Sequence, residues 1–204
     1  MSELLRADLV RIASQIPPGS RVLDLGCGSG ELLVYLMTQR GCVGLGIEHD
    51  AEAILAAVSA GVPVLDLDID AQLDLFADGS FDVVVLSRTL QAVRHPVQVL
   101  RHMGRIGARL IVSMPNFAYW PHRLRLLGGE MPRSSDLPFD WFDSPNLHFA
   151  TLSGMQSLIR SLGYTIERRL ALGPSGHLIT WLPNLRAGSA IYVVMAVRGG
   201  KSVS

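Results

Sequence analysis

The residues best placed to do chemistry in this 204-residue chain are three glycines and a handful of acids. Arg21-Val22-Leu23-Asp24-Leu25-Gly26-Cys27-Gly28-Ser29-Gly30 runs from an apolar stretch of strand length into glycines at alternate positions. Glu31-Leu32-Leu33-Val34-Tyr35-Leu36 then takes up a helical pattern. A strand that turns directly into a helix leaves the helix's first N–H groups unpaired and facing whatever sits on the turn. Glycine at such a turn lets a ligand lie against bare backbone. The dinucleotide fingerprint spaces its glycines G-x-G-x-x-G and seats a pyrophosphate on the helix N-terminus. Here the spacing is G-x-G-x-G, and Glu31 stands where the third glycine would be. Asp24 and Glu31 bracket the turn with negative charge, a field that repels pyrophosphate and suits a ligand bearing an ammonium and a sulfonium.

Further acids follow in register. Val43-Gly44-Leu45-Gly46-Ile47 reads as the next strand and Glu48 ends it, roughly 20 residues after the glycines, where α/β nucleotide sites carry a ribose-binding carboxylate. One carboxylate can accept from both hydroxyls of a cis-diol. A third strand, about Val62 to Leu67, runs into Asp66, Asp68 and Asp70. Asp66 and Asp70 read as a solvated strand end. No nearby His or Cys completes a metal site with them, so no metal is expected.

Asp24, Gly26, Gly28 and Gly30 match an acid-x-G-x-G-x-G motif. Through it the chain resembles the class I S-adenosylmethionine (SAM)-dependent methyltransferases; a glycine-rich turn in some other α/β protein is the plain alternative. The resemblance implies a pocket for SAM or S-adenosylhomocysteine (SAH). Its lining would be Asp24, Gly26, Cys27, Gly28 and Gly30 on the first turn, Glu48 and His49 after the second strand, Asp68 and Ile69 after the third, and Ser87 and Gln91 after the fourth. Asp68 would accept from the adenine amino group.

The elements that must position these residues read as a doubly wound sheet. Leu5, Leu9, Ile12 and Ile16 fall at helical spacing before Pro17-Pro18-Gly19 stops that helix. Strands and helices then alternate: a helix at Ala51 to Ser59, a strand at Phe81 to Leu86, a helix at Pro96 to Gly104, a strand at Leu110 to Ser113. Continuous Val/Ile/Leu runs separated by helices indicate a parallel sheet covered on both faces. A helix carrying Met155, Leu158, Ile159 and Leu162 precedes two late strands, Tyr164 to Leu170 and Ala190 to Val197. With no helical pattern evident between them, they suggest an antiparallel pair. The expected fold is therefore an α/β, Rossmann-like class I methyltransferase fold: a mostly parallel doubly wound sheet with a C-terminal antiparallel strand. One domain over residues 1–200 is expected, with an aromatic-rich insertion at about 117–150.

Composition sets bounds. Acids and bases balance to a formal net charge of +0, which leaves no phosphate-backbone footprint and no expectation of nucleic acid. No apolar run approaches the ~18 residues of a membrane span. The charged N-terminal residues lack a signal-peptide core, so a cytoplasmic protein is expected. Cys27 and Cys42 form no framework and read as reduced, buried thiols. Lys201-Ser202-Val203-Ser204 reads as a loose tail.

Methyl transfer asks little of side chains beyond aligning the acceptor and excluding water. A general base would help with a protonated acceptor, and His95, His122 and His148 are the candidates. Each is also an ordinary capping or core histidine, so no catalytic residue is assigned. Ser87-Arg88-Thr89-Leu90-Gln91 and Met114-Pro115-Asn116-Phe117 flank the expected acceptor position, although a turn with a helix-capping Asn116 fits the second as well. Phe117 to Phe149 gathers Tyr119, Trp120, Phe139, Trp141, Phe142 and Phe149 among Arg and Pro. Such a segment serves as a lid, as a partner surface, or as the packing of a helical cap.

Four segments carry a narrower resemblance: Val22 to Gly28, Val84 to Val93, Val112 to Phe117 and Trp141 to His148. Through them the chain resembles the MetW family of methionine-biosynthesis proteins over roughly residues 4 to 170. Ser29 stands where many members have Asp, and His49 where a hydrophobic residue is usual. The resemblance implies a partner or activator of homoserine O-acyltransferase, contacting it through Trp120, Phe139, Trp141 and Phe142. SAM, an end product of the pathway, would then act as a regulatory ligand rather than a methyl donor. The other class of function is a working SAM-dependent methyltransferase on a small-molecule or protein acceptor. The two make opposite structural demands. A partner subunit exposes the aromatics of residues 139–149 as an apolar patch, and an enzyme folds them over its pocket.

Overall fold

A computed structural model describes residues 5–196. The chain runs α1 (Ala7–Ala13), β1 (Arg21–Leu25), α2 (Glu31–Arg40), β2 (Val43–Glu48), α3 (Ala51–Ser59), β3 (Val64–Asp66), β4 (Phe81–Ser87), α4 (Pro96–Ile106) and β5 (Gly107–Pro115). It continues through α5 (Trp120–Leu127), α6 (Leu152–Ser161), β6 (Thr165–Leu172), α7 (Pro183–Arg186) and β7 (Ser189–Met195). The strands form one sheet in the order β3-β2-β1-β4-β5-β7-β6. Neighbours from β3 to β5 pair in parallel, and β7 pairs antiparallel with both β5 and β6. This is the sheet expected of a class I methyltransferase fold.

Both faces are buried, which is why the strands read as unbroken apolar runs rather than alternating ones. On one face Leu23, Leu25, Val84, Leu86, Leu110 and Val112 pack against α4 and α6 through Leu100, Met103, Met155 and Ile159. On the other, Val22, Val83, Val85 and Ile111 pack against α1 and α2 through Leu9, Ile12, Leu33 and Leu36. Tyr192 of β7 is fully buried and its hydroxyl donates to the Leu152 carbonyl at 2.9 Å, locking α6 to the sheet.

The structure differs from expectation in strand lengths and in one connection: β5 spans Gly107–Pro115, beyond both ends of Leu110 to Ser113, and the short α7 stands between the two late strands, where no helical pattern was evident. β3 spans three residues instead of the six from Val62 to Leu67, because it is an outer strand paired on one side only, with Leu65 and Asp66 exposed. β6 extends to Leu172, where its pairing with Ser189 of β7 holds the end, and carries a bulge between Ile166 and Arg168. The expected β7 terminus at Val197, and the tail at residues 201–204, lie outside the described residues. None of the helices among these residues is long and apolar enough to cross a membrane.

The order of strands fixes where a ligand can sit. The chain moves outward from β1 through β2 to β3, then returns to β4 beside β1 and moves outward the other way. The turns after β1 and β4 therefore diverge and leave a crevice between them at the carboxyl end of the sheet. Gly26–Ser29 and Ser87–Thr89 form its two sides.

Candidate functional site

β1 ends by delivering Asp24 into this crevice. The period of two puts Asp24 on the same side as Val22, under α1 and α2, where it is 3% exposed. Its Oδ1 is buried without a hydrogen-bond partner among the described residues. Burial, with the Glu48 charge added, pushes the Asp24 carboxyl up to about 7. A buried acceptor of this kind, half ionised at neutral pH, is poised to take a cationic donor group.

The turn that follows has the shape the glycines imply. Gly26 and Cys27 both donate to the Ile47 carbonyl, at 2.8 and 3.0 Å, tying the turn to β2. Gly26 has φ +72°, and a Cβ there would lie 2.6 Å from Thr89 Oγ1, so the chain after β4 packs directly onto bare backbone. At Gly28, φ is +55° and a Cβ would project into open space. The Gly28 N–H donates to Glu48 Oε2 at 2.9 Å, and Glu48 Oε1 accepts from the His49 and Asp50 N–H groups at 2.8 and 3.1 Å. Glu48 is thus held by three backbone N–H groups at the rim of the glycine turn.

Two pockets meet at this place. One, of about 190 Å³, is lined by Asp24, Gly26, Cys27, Gly28, Glu31 and Ser87 among others. The second, of about 550 Å³, is lined by Glu48, His49, Asp68, Ile69, Thr89 and Arg94 among others. Gly26 and Arg88 belong to both, so the two are halves of one elongated site. The acidic half suits an amino-acid tail, and the larger half, with Glu48, Asp68 and Ile69, suits a nucleoside.

The structure brings together nine of the eleven residues expected from the sequence: Asp24, Gly26, Cys27, Gly28, Glu48, His49, Asp68, Ile69 and Ser87. Gly30 lies one step behind the lining, where a Cβ would press on Val62 and Ala57 at 3.0 and 3.1 Å. Gln91 lines a separate apolar cavity instead. The Cys27 thiol is pushed up to about 12 by burial and by the charges of Asp24 and Glu48, so it is protonated and unreactive at neutral pH.

The three aspartates after β3 each have a partner of their own. Asp66 accepts from the exposed His49 ring at 2.8 Å, which raises the histidine's pKa. Asp68 pairs with Arg94 at 2.6 Å. Asp70 accepts from the Arg94 and His95 N–H groups, both at 2.8 Å, fixing the turn that opens α4. His95 occupies the capping position of that helix, next to Pro96.

Of the other histidines, His122 is the fully buried residue of α5, packed against the rings of Phe117 and Tyr119 at 6.2 and 5.4 Å. Burial lowers its pKa and keeps it neutral, and neither pocket half includes it. Asn116 is also fully buried. Its amide donates to the Asn184 and Ala187 carbonyls at 3.0 and 2.8 Å and clamps the short α7 segment. Its Oδ1 accepts from Ala118 N–H at 3.1 Å, a turn two residues long; the helix cap expected of Asn116 is not made, because α5 starts only after Tyr119, which holds the capping position.

Sequence reasoning passed over Arg88. It follows β4 directly, has φ +56°, and its N–H donates to both the carbonyl and the Oγ of Ser113. Its guanidinium pairs with Asp136, a mostly buried carboxylate of the 117–150 segment. The available signal was its position, a charged residue on the first step beyond a central strand. Arg88 joins the ligand crevice to the aromatic segment.

That segment holds α5 and then irregular backbone, pinned at a few points. Phe117 N–H donates to the Ala150 carbonyl at 2.9 Å, and Leu147 and His148 N–H donate to the Gln91 carbonyl at 2.8 and 3.0 Å. Phe117 and Tyr119 are half-buried, and the other aromatics face outward. Trp141 and Phe142 are 72% and 73% exposed, and Trp120 and Phe139 nearly half exposed. Met131, Phe139, Trp141 and Phe149 surround one shallow depression, so these are neighbours on a single patch.

Comparison with known proteins places this geometry. The family model described as "Methionine biosynthesis protein MetW" matches residues 6–194. The "Bifunctional methionine biosynthesis protein MetXA/MetW" of Rhodopirellula baltica is 36% identical over 178 residues, 81% of this chain; those residues make up 28% of that relative's own length. Among solved structures, an S-adenosylmethionine-dependent methyltransferase from Mesorhizobium loti superposes with a TM-score of 0.70 at 20% identity, covering 93% of this chain and 97% of that one. Magnesium protoporphyrin IX methyltransferase from Synechocystis, with bound SAH, superposes with a TM-score of 0.65 at 17% identity over 94% of this chain and 82% of its own.

Proposed function

Since the chain belongs to the MetW family of methionine-biosynthesis proteins, we propose that it binds SAM or SAH in the paired crevice and acts in the cytoplasm as the activating partner of homoserine O-acyltransferase. The observation that carries the partner role is the exposure of Trp141, Phe142, Phe139 and Trp120. An enzyme would fold these side chains over its substrate, whereas Phe139 and Trp141 around one depression, with Phe142 against Trp141, are left in water as the anchors of an interface, and Trp120 is exposed on α5. The relative that joins MetXA and MetW in one bifunctional chain supports the same reading, with MetXA taken as the acyltransferase half.

The donor crevice supports the ligand. Asp24 presents an unpaired buried acceptor for the ammonium, Glu48 presents a carboxylate to the ribose diol, and the Gly28 backbone leaves room for the tail. Asp68, which the Arg94 guanidinium holds at the rim, accepts from the adenine amino group. Among the described residues the histidine lining the crevice is His49, which sits in the nucleoside half with its ring on Asp66, away from the acidic half, and the arrangement serves binding better than proton transfer. Bound SAM then reports the level of the pathway's end product to the partner. A ligand with different affinity for the two states of a complex shifts its population.

The test is homoserine acylation by the cognate acyltransferase, at fixed enzyme concentration, with and without this protein. A several-fold rise on adding it, altered by SAM, is the expected result. Equal rates, with both proteins folded and SAM bound, exclude the partner role. Formation of SAH from SAM in the presence of a cell extract would establish the methyltransferase reading instead.

A further inference from the structure

Between the ends of β4 and β5 and the start of α6 lies a cavity of about 220 Å³ that shares no lining residue with either half of the donor crevice. Leu90, Met114, Phe117, Phe149 and Met155 form its walls, and Gln91 and His148 are the polar side chains among its lining residues. His148 and Phe149 are exposed, so the cavity opens to solvent on that side and a ligand has a way in.

Gln91 gives the cavity its chemistry. Its Nε2 donates to the Arg88 carbonyl, which orients the amide, and its Oε1 is buried without a partner among the described residues. Buried acceptors left unpaired are costly and uncommon in native proteins. The backbone carbonyl of the same residue accepts from Leu147 and His148, which anchors the end of the aromatic segment beside the cavity and sets the exposed His148 among its lining residues.

We propose that this cavity is a binding site for a small, neutral, largely apolar molecule that presents one hydrogen-bond donor to Gln91 Oε1. An apolar cavity of ~150 Å³ accepts benzene, so this one takes a bicyclic body of about nine non-hydrogen atoms. Homoserine is excluded, because its ammonium and carboxylate would lose their hydration against walls that offer no compensating charge. The site is thus distinct in kind from the acidic half of the donor crevice, which it adjoins along residues 88–91.

Indole and indene make the test, being alike in shape and differing in one N–H. Calorimetric titration of the full-length protein should show indole saturating a single site with about tenfold higher affinity than indene. Gln91→Leu should erase that preference. Leu158→Trp, which fills the cavity from α6, should remove binding of both while SAH still binds. The proposal is overturned if neither probe saturates the wild-type protein, if indene equals indole, or if Gln91→Leu keeps the preference. Retention of indole by Leu158→Trp overturns it as well. Should Leu158→Trp not fold, the Gln91→Leu comparison decides alone.

Discussion

The glycine turn and the aromatic segment lie on either side of Arg88 and are built by opposite means. The turn is made of backbone: three glycines at positive φ, two N–H groups on the Ile47 carbonyl, and one on Glu48. Of its side chains Asp24 is buried, Cys27 half-buried and Ser29 exposed. The aromatic segment is made of side chains on irregular backbone, held by a few hydrogen bonds and the Arg88–Asp136 pair, with its largest apolar groups in water. A site for a small ligand has to be formed before the ligand arrives, since loose geometry loses affinity to ordering. A surface for a protein partner has to stay uncovered. The proposed function assigns ligand binding to the first region and partner docking to the second.

Substitutions that strike one region and spare the other test that separation. The largest effect is expected from Gly28→Val, which adds a branched side chain at φ +55° and projects it into the cradle. SAH binding should fall a hundredfold or more by calorimetry. The Cβ meets no neighbour within 4 Å, so the protein should still fold. Acyltransferase activation should survive but lose its response to SAM. If Gly28→Val abolishes SAM binding and leaves that response unchanged, the regulatory reading is wrong.

The reciprocal variant is Trp141→Ala with Phe142→Ala. Loss of two central aromatic anchors costs about 2 kcal/mol or more in typical interfaces, roughly thirtyfold in affinity. The concentration giving half-maximal activation should rise by about that factor, with SAH affinity and thermal midpoint unchanged because both rings are exposed. Unchanged activation would place the interface elsewhere.

Asp24→Asn is expected to act in two directions. Removing the charge should weaken SAH by roughly tenfold while leaving 5′-methylthioadenosine, which lacks the amino-acid tail, within twofold. The free protein should gain stability. The Asp24 carboxyl sits at about 7 in the folded state against an ordinary 3.8, so its contribution to stability is present below the unfolded value and is lost as pH rises toward and through 7. The thermal midpoint of Asp24→Asn should therefore exceed that of the wild type at pH 8, and the gap should narrow toward pH 4.

The smallest effect is the pH dependence of the wild type. A cationic tail prefers ionised Asp24, so SAH affinity should rise several-fold from pH 6 to 7.5, with 5′-methylthioadenosine flat over the same range. A flat SAH profile would mean that the ammonium does not use Asp24.

The glycine turn and its acids were legible in the chain because their determinants are local. Asp24, Gly26 and Gly28 sit within five residues, and the spacing itself encodes the turn. Glu48 follows at the end of the next strand, a distance the βα unit imposes. Arg88 was less visible, since its role depends on Asp136, 48 residues away. Gln91 was read as part of the donor pocket, and the structure sets it against an apolar cavity one step further along the loop. The ends of β3 and β6 moved for a related reason: strand length at a sheet edge is decided by the partner strand, and the partner is distant in sequence.

By itself the sequence determined the fold, the glycine turn, the acidic character of the donor crevice and the presence of an aromatic segment, because hydrophobic period, glycine spacing and charge are all properties of neighbouring residues. Only the tertiary structure decided that most of the segment's aromatics face outward, that His122 is walled in and Asn116 is a clamp, and that Arg88 bridges the two regions. Those outcomes depend on which surfaces meet when β4 and β5 lie side by side, and contacts between residues tens of positions apart leave no mark in local spacing.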